Sequence, residues 1–266
     1  MSSPSVQLYT VREAISDDLQ GAVARIAEIG FTKVEPYAFV ERAEEYERAF
    51  AANGLSAPSG HAPVIDSDDP AAAFDAALRL GIGTVIDPFI PADRWVSADD
   101  AYRIADRVNE LQSQAASLGL GFGYHNHNWE FSNTVDGRPV FELFLERLSP
   151  DVVLEIDTFW STVGGADTPA LLRSLGDRVQ FLHIKDGKVM GDIATALPSS
   201  ESALIVPDAL AAAFKNQTPA GQGDVDVEAV LAAAPHALRV VEFDDYSKDV
   251  FDGVAESFAW LAENDK

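Results

Sequence analysis

This chain has no cysteine, so it can form neither disulfides nor thiolate metal sites, and cysteine usage says nothing of its redox compartment. Basic residues are scarce: 19 Lys and Arg face 43 Asp and Glu, for a formal charge of −24 and a sequence pI of about 4.3. Such a surface repels phosphate backbones and anionic lipid, which argues against nucleic-acid and membrane partners; most of it serves solubility. No apolar run reaches the roughly 18 residues of a membrane span, and Met1–Val11 has no basic stretch followed by an apolar one. A soluble, cytoplasmic protein is expected. No G-x-G-x-x-G follows the first apolar run, which weakens an open dinucleotide-binding sheet. Repeats, low-complexity tracts and linkers are also missing, so residues 1–266 read as one domain.

What the chain does have is a regular alternation of short apolar runs and longer amphipathic ones. Strands are expected at Val6–Tyr9, Lys33–Tyr37, Leu55–His61, Thr84–Phe89, Leu120–His127, Val152–Asp157, Val179–Ile184 and Leu238–Phe243. Helices are expected near Asp17–Ile29, Glu41–Asn53, Pro70–Leu80, Ala98–Leu118, Gly137–Arg147, Pro169–Leu175 and Phe251–Asn264, with a turn at Asp136–Gly137. Eight strand–helix units of this spacing predict an α/β fold, a single (β/α)8 TIM barrel, for which 266 residues is an ordinary length. One stretch departs from the rhythm: 186–223, after strand 7, far exceeds an ordinary βα loop and carries its own helical segment, Val206–Lys215. An insertion on that face predicts a lid or an oligomer contact, so a homo-oligomer is among the expected partners.

The chemistry-bearing residues collect where strands end. His61, His125, His127 and His183 close or follow apolar runs, and Asp157 and Glu242 stand at matching places. In a parallel barrel the carboxyl ends of the strands build the active site, and His, Asp and Glu converging there offer nitrogen and oxygen ligands to a divalent metal. Alternation puts His125 and His127 on one face, with Glu130 one short turn beyond; the spacing does not fix which histidine touches metal. Glu155 and Asp157 likewise share a face, one at the mouth and one deeper, and Asp157 is also placed to cap a following helix. Lys185, in register with His183, can hold a polar or anionic substrate oxygen, while a carboxylate such as Glu242 after Val240-Val241 is costly without a cation or hydrogen bonds. Tyr9, Arg12, Glu35, Tyr37, His61 and Trp160 follow their strands closely enough to line a pocket, whereas His236 ends a helix and reads as structural or exposed. Gly221-Gln222-Gly223 reads as a turn into a helix.

Taken together these residues resemble the xylose isomerase-like TIM barrel superfamily, in its sugar phosphate isomerase/epimerase branch. The resemblance rests on Gln7–Arg12, Tyr124-His125-Asn126-His127 with Glu130-Phe131, Asp157 with Trp160 and Gly164-Gly165, Arg178, His183–Asp186, Gly221-Gln222-Gly223 before Val225-Asp226, and Val241-Glu242, in the family's order. It implies one divalent metal (Mn2+, Mg2+, Co2+ or Zn2+) on a Glu–Asp–His–Glu set, the last three positions falling on Asp157, His183 and Glu242. The first position departs: His125 stands where the family has glutamate, and either His125 or the later Glu130 would complete the set. The activity implied is metal-dependent isomerisation or epimerisation of a keto sugar or related polyol through an enediolate. Glu242 or Glu130 would be the base, Lys185 would assist, and Tyr9, Arg12, His61, His127 and Trp160 would hold the carbohydrate. The departure at His125 keeps two alternatives open: a lyase or dehydratase on a keto-glycoside or inosose, and a non-catalytic sugar-binding barrel.

Overall fold

Strands that close into a barrel are buried on both faces and need only a few residues each, and the apolar runs fold accordingly. The computed structural model describes residues 3–189 and 208–266. Seven strands form one curled parallel sheet: β1 (Ser5–Val6), β2 (Ser59–His61), β3 (Thr84–Asp87), β4 (Gly121–His125), β5 (Val153–Asp157), β6 (Val179–Ile184) and β7 (Leu238–Val241). Their spatial order is β1-β7-β6-β5-β4-β3-β2. Segment 33–37 closes the ring between the two edges, with parallel bridges from Glu35 to Gln7, Lys33 to Ser56 and Tyr37 to His61. The expected strand Lys33–Tyr37 is reduced to single bridges because Pro36 has no N–H to give the ladder. The result is a TIM barrel of eight staves.

Helices over Arg12–Ile29, Ala43–Asn53, Pro70–Leu80, Ala98–Ser117, Val140–Arg147, Thr168–Leu175 and Val250–Asn264 cover the outside. Gly54 (φ 65°) and Gly81 (φ 69°) end two of them in the left-handed conformation that a side chain would disfavour. The first strand stops short of the expected Val6–Tyr9. Gln7 turns the chain there: its side-chain oxygen accepts the Tyr9 N–H at 3.0 Å and starts a 3-10 turn over Leu8–Val11. Two short helices that the pattern does not announce, Trp129–Ser132 and Thr158–Val163, begin almost directly after β4 and β5. Asp136 (φ 52°) and Gly137 (φ 78°) make the expected tight turn, in a small hairpin.

After β6 the chain pairs Asp186–Gly187 antiparallel with Gln217–Thr218, and a helix spans Asp208–Lys215. The rest of the expected insertion, 190–207, lies outside the described residues. No helix among the described residues is long and apolar enough to cross a membrane.

Alternation along the strands divides the interior in two. Outward-facing residues such as Leu154, Ile156, Leu182 and Val241 join the large core beneath the helices. Inside the barrel, Ile86, Val153, Phe181 and Val240 pack into a separate apolar plug. One pleat step above that plug the side chains become Glu155, His183 and Glu242.

Candidate metal centre and cavity

Each side chain of the site is placed by the strand that carries it. His61, His125 and Asp157 are the last residues of β2, β4 and β5, His183 is next to last on β6, and Glu242 follows β7 directly. The barrel thus brings together four of the expected residues, His125, Asp157, His183 and Glu242, with one donor atom from each within 4.8 Å of the others. A second group, His61, His125, Glu155 and His183, satisfies the same condition one layer deeper and shares two histidines with the first. All of these side chains are buried.

Asp157 divides its two oxygens between structure and site. One accepts the Trp160 N–H at 2.8 Å and caps Thr158–Val163; the other lies 2.9 Å from Lys185 Nζ and 3.9 Å from His125 Nε2. The capping and ligand readings of this residue are therefore compatible. Lys185 Nζ also lies 2.7 Å from Glu242 and 2.9 Å from Asp244, so one ammonium is enclosed by three carboxylates. Burial alone would lower the Lys185 pKa, but Asp157, Asp244 and Glu242 hold it well above the ordinary range. Burial lifts Asp157 to about 6 against the pull of Lys185. For Glu242, burial is outweighed by Lys185 and His183, which keep the carboxyl well below its usual value.

His183 links the layers. Its Nδ1 is 2.6 Å from Glu242, and its Nε2 is 2.8 Å from Glu35 and 3.1 Å from Glu155. His61 Nε2 approaches Glu155 at 2.6 Å and Glu35 at 3.2 Å, and the His61 ring stacks on that of His183 at 5.2 Å. Glu35 accepts further hydrogen bonds from Gln7 Nε2 at 2.7 Å and from the Ser59 hydroxyl. Burial, reinforced by Glu155, raises the Glu35 pKa, whereas His183 and His61 overcome burial at Glu155 and hold it well below. His125 is lowered to about 4 by burial and by His183.

Above the cluster opens a cavity of about 500 Å3. Tyr9, Arg12, His61 and His127 of the expected substrate set line it, together with Glu242, Tyr37, Phe89 and Phe214. His127 is stacked on Trp129 at 4.5 Å, burial drives its pKa well below the ordinary value, and its Nδ1 has no partner among the described residues. Trp160 stands behind the wall instead of on it: its indole N–H donates to Asp244 at 3.1 Å, and its ring lies 5.7 Å from Lys185 Nζ.

Glu130 is placed differently from the expectation. It accepts from the Tyr124 hydroxyl at 2.7 Å and from the His127 N–H at 3.0 Å, and Tyr124 packs outside the barrel against Trp95 and Phe144. The turn into Trp129–Ser132 carries the side chain off the inward face, away from both ligand groups and the cavity lining. Burial raises Glu130 to about 8. Between the two candidates for the first ligand, the structure puts His125 in the cluster and leaves Glu130 out. His236 is exposed; among the described residues its Nε2 meets the Val179 carbonyl at 3.0 Å and lies 3.9 Å from the Asp177 carboxylate. Asp244 was not among the expected residues; it stands two positions after Glu242, and an acidic residue so soon after a strand end is the signal that could have flagged it. Gln7 and Ser59 carry no such signal.

A divalent cation suits this donor set. It mixes imidazole nitrogen with carboxylate oxygen, its side chains are buried, and one buried oxygen beside it, Glu155 Oε1, lacks any hydrogen-bond partner among the described residues.

Comparison with known proteins agrees with the fold. A family model described as xylose isomerase-like TIM barrel matches residues 23–263. A sugar phosphate isomerase/epimerase from Parabacteroides distasonis superposes with a TM-score of 0.75 at 21% identity, covering 98% of this chain and 94% of its own. The IolI protein with a bound zinc atom gives 0.72 at 13% identity, covering 99% and 98%. The 3-keto-D-glucoside 4-epimerase YcjR of E. coli gives 0.64 at 17% identity, covering 93% and 95%. No curated protein sequence matches the chain significantly. With its family model spanning nearly the whole barrel, this chain belongs to the xylose isomerase-like TIM barrel family.

Proposed function

We propose that the protein is a metal-dependent sugar isomerase or epimerase that moves a proton on the carbon next to a ketone. The observation that carries this reading is the convergence of His125, Asp157, His183 and Glu242 beside a cavity large enough for a sugar. Those four residues would hold the cation, which when bound polarises a ketone and its neighbouring hydroxyl and so acidifies the adjacent C–H. Relatives named as an L-ribulose 3-epimerase and as YcjR support a carbohydrate substrate, and the zinc in IolI supports a metal.

Glu242 is the base, since it both lines the cavity and belongs to the cluster. Its low pKa makes it a weak base in isolation, and the acidified C–H offsets that weakness. His127, its pKa held well below the ordinary value and its Nδ1 without a partner among the described residues, accepts a hydrogen bond from a substrate hydroxyl. Lys185 carries fixed positive charge beside Glu242 and stabilises the negative charge of an enediolate. Tyr9, Tyr37 and Phe89 offer ring faces to the C–H side of a sugar, and Arg12, 4.4 Å above Tyr9, offers hydrogen-bond donors. Phe214, from the insertion, closes part of the wall against Trp160 and helps exclude water from a reactive intermediate.

A second reading is elimination from a keto-glycoside or inosose. It is favoured by the position of Glu130, because two-faced epimerisation by a Glu130–Glu242 pair is not assembled here. A relative named as a probable 3-DHS dehydratase fits that chemistry.

Both readings begin with the same proton abstraction, so the test is deuterium wash-in from D2O, followed by proton NMR across ketoses, 3-keto-glycosides and inososes. Wash-in with an intact skeleton is expected for the first reading, and loss of the leaving group or water for the second. No wash-in on any substrate by the metal-loaded protein would leave a sugar-binding barrel.

A further inference from the structure

The deeper layer has more carboxylate than packing requires. Glu155 Oε2 receives three ring nitrogens at once: His61 Nε2 at 2.6 Å, His125 Nδ1 at 3.1 Å and His183 Nε2 at 3.1 Å. Glu35 shadows it, meeting His183 Nε2 at 2.8 Å and His61 Nε2 at 3.2 Å. A carboxylate oxygen only accepts, so each of those nitrogens carries its proton toward the barrel interior. A neutral imidazole has a single lone pair. The lone pair of His125 therefore falls on Nε2, the atom 3.9 Å from Asp157, whereas His183 meets carboxylates on both sides and its Nδ1, 2.6 Å from Glu242, carries the proton that a cation in the upper cluster would displace.

We infer that Glu155, backed by Glu35, is a positioning residue that orients the rings of His125 and His183 and fixes the tautomer of His125, so that His125 Nε2 and His183 Nδ1 are turned toward the upper cluster. The same residues could be read as a second cation site, since His61, His125, Glu155 and His183 also converge. The two sites compete for the same two rings. A lower cation would need His125 Nδ1 and His183 Nε2 as ligands and would take both lone pairs from the upper one. The upper group offers two carboxylates, whereas the lower group has one, Glu155, whose Oε2 already meets three ring nitrogens. The lower carboxylates then play the part of acceptors that orient metal-binding histidines from behind. His61 gains from the same arrangement: with Nε2 committed downward, its Nδ1 remains an acceptor on a ring that lines the cavity.

This inference rests on the metal reading above, and the experiment separates the two. Binding of Zn2+ and Mn2+ to wild-type protein, Glu155→Gln and Glu35→Gln is measured by calorimetry, with Mn2+ EPR as a spectroscopic check. Thermal unfolding in EDTA reports whether each variant is folded. The wild type is expected to take one ion, Glu155→Gln to bind it about 10- to 100-fold more weakly with an altered EPR spectrum, and Glu35→Gln to lose less, because it touches only His183 of the two ligands. Equal affinity and an unchanged spectrum in folded Glu155→Gln would overturn the inference while leaving the metal reading intact. So would two ions per wild-type chain with one lost in Glu155→Gln, which would make the lower layer a second metal site. No ion in the wild type would sink the metal reading itself. The tautomer is then still decided by 15N NMR of ring nitrogens in histidine-labelled wild-type protein, which needs neither metal nor a variant. A proton on His125 Nδ1 is expected, and a proton on Nε2 with a bare Nδ1 would overturn the assignment.

Discussion

The lower and upper halves of the barrel interior come from the same strands and have opposite chemistry. Val153, Phe181 and Val240 meet Ile86 in a dry apolar plug, and two residues on, along the same inward faces, stand Glu155, His183 and Glu242. One pleat step separates a region that stabilises the fold from a region that costs it desolvated charge. The plug needs only shape and volume, whereas the upper half holds together because every carboxylate in it finds a cation or a proton donor. Stability and chemistry are thus stacked along each strand, not assigned to different elements.

The widest separation should come from one substitution in each half. Glu242→Gln is expected to lower deuterium wash-in by about 10²- to 10⁴-fold and to weaken metal binding, with the barrel still folded. Phe181→Ala is expected to cost about 3–5 kcal/mol of unfolding free energy, read by urea titration, while the metal stoichiometry of the folded protein stays unchanged. Should Phe181→Ala shed the metal without losing stability, the two halves would not be separable in this way.

Glu130 sharpens the comparison because it is a buried carboxyl in neither half. Burial raises it from 4.5 to about 8, so ionising it in the folded state is unfavourable. The resulting penalty is absent below about pH 4.5 and grows as the pH rises toward about 8. Glu130→Gln cannot ionise. Its stability relative to wild type should therefore increase between about pH 5 and pH 8, with metal binding spared. A stability difference that does not move with pH would show that Glu130 is ionised at little cost, and loss of metal would return it to the cluster. The smallest effect is expected at His236, exposed at the helix end: His236→Ala should change unfolding free energy by less than about 1 kcal/mol and metal content not at all.

The candidate site was legible in the sequence wherever a chemistry-bearing residue ended an apolar strand. His125, Asp157, His183 and Glu242 each carry that mark, and the family resemblance fixed their order. Alternation and strand direction also announced that Glu155 lies below Asp157 on one face, but which residues of neighbouring strands share a layer with each depends on the stagger between strands, seen only in the register of Asp157 with His183 and of His125 with Glu155. Glu130, expected one short turn beyond the histidine pair, lies off the inward face because β4 ends at His125 and a helical turn begins at Trp129. The role of Gln7, which both turns the chain and supports Glu35, arises from the closure of the barrel by segment 33–37. Such contacts between residues 28 positions apart leave no local pattern. Elements with strong punctuation fared best: Pro70–Leu80, started by proline and stopped by Gly81, is found as expected, whereas the strand containing Pro36 is broken by it.

The central claim, that the upper half of the barrel interior is a single-cation centre, is tested most directly by elemental analysis of the purified wild-type protein beside the Asp157→Ala, His183→Ala double variant. One Mn2+-, Mg2+-, Co2+- or Zn2+-type ion per wild-type chain and close to none in the folded double variant is the predicted result. Wild-type stoichiometry retained by the double variant, or no ion in either protein after loading, would contradict the account.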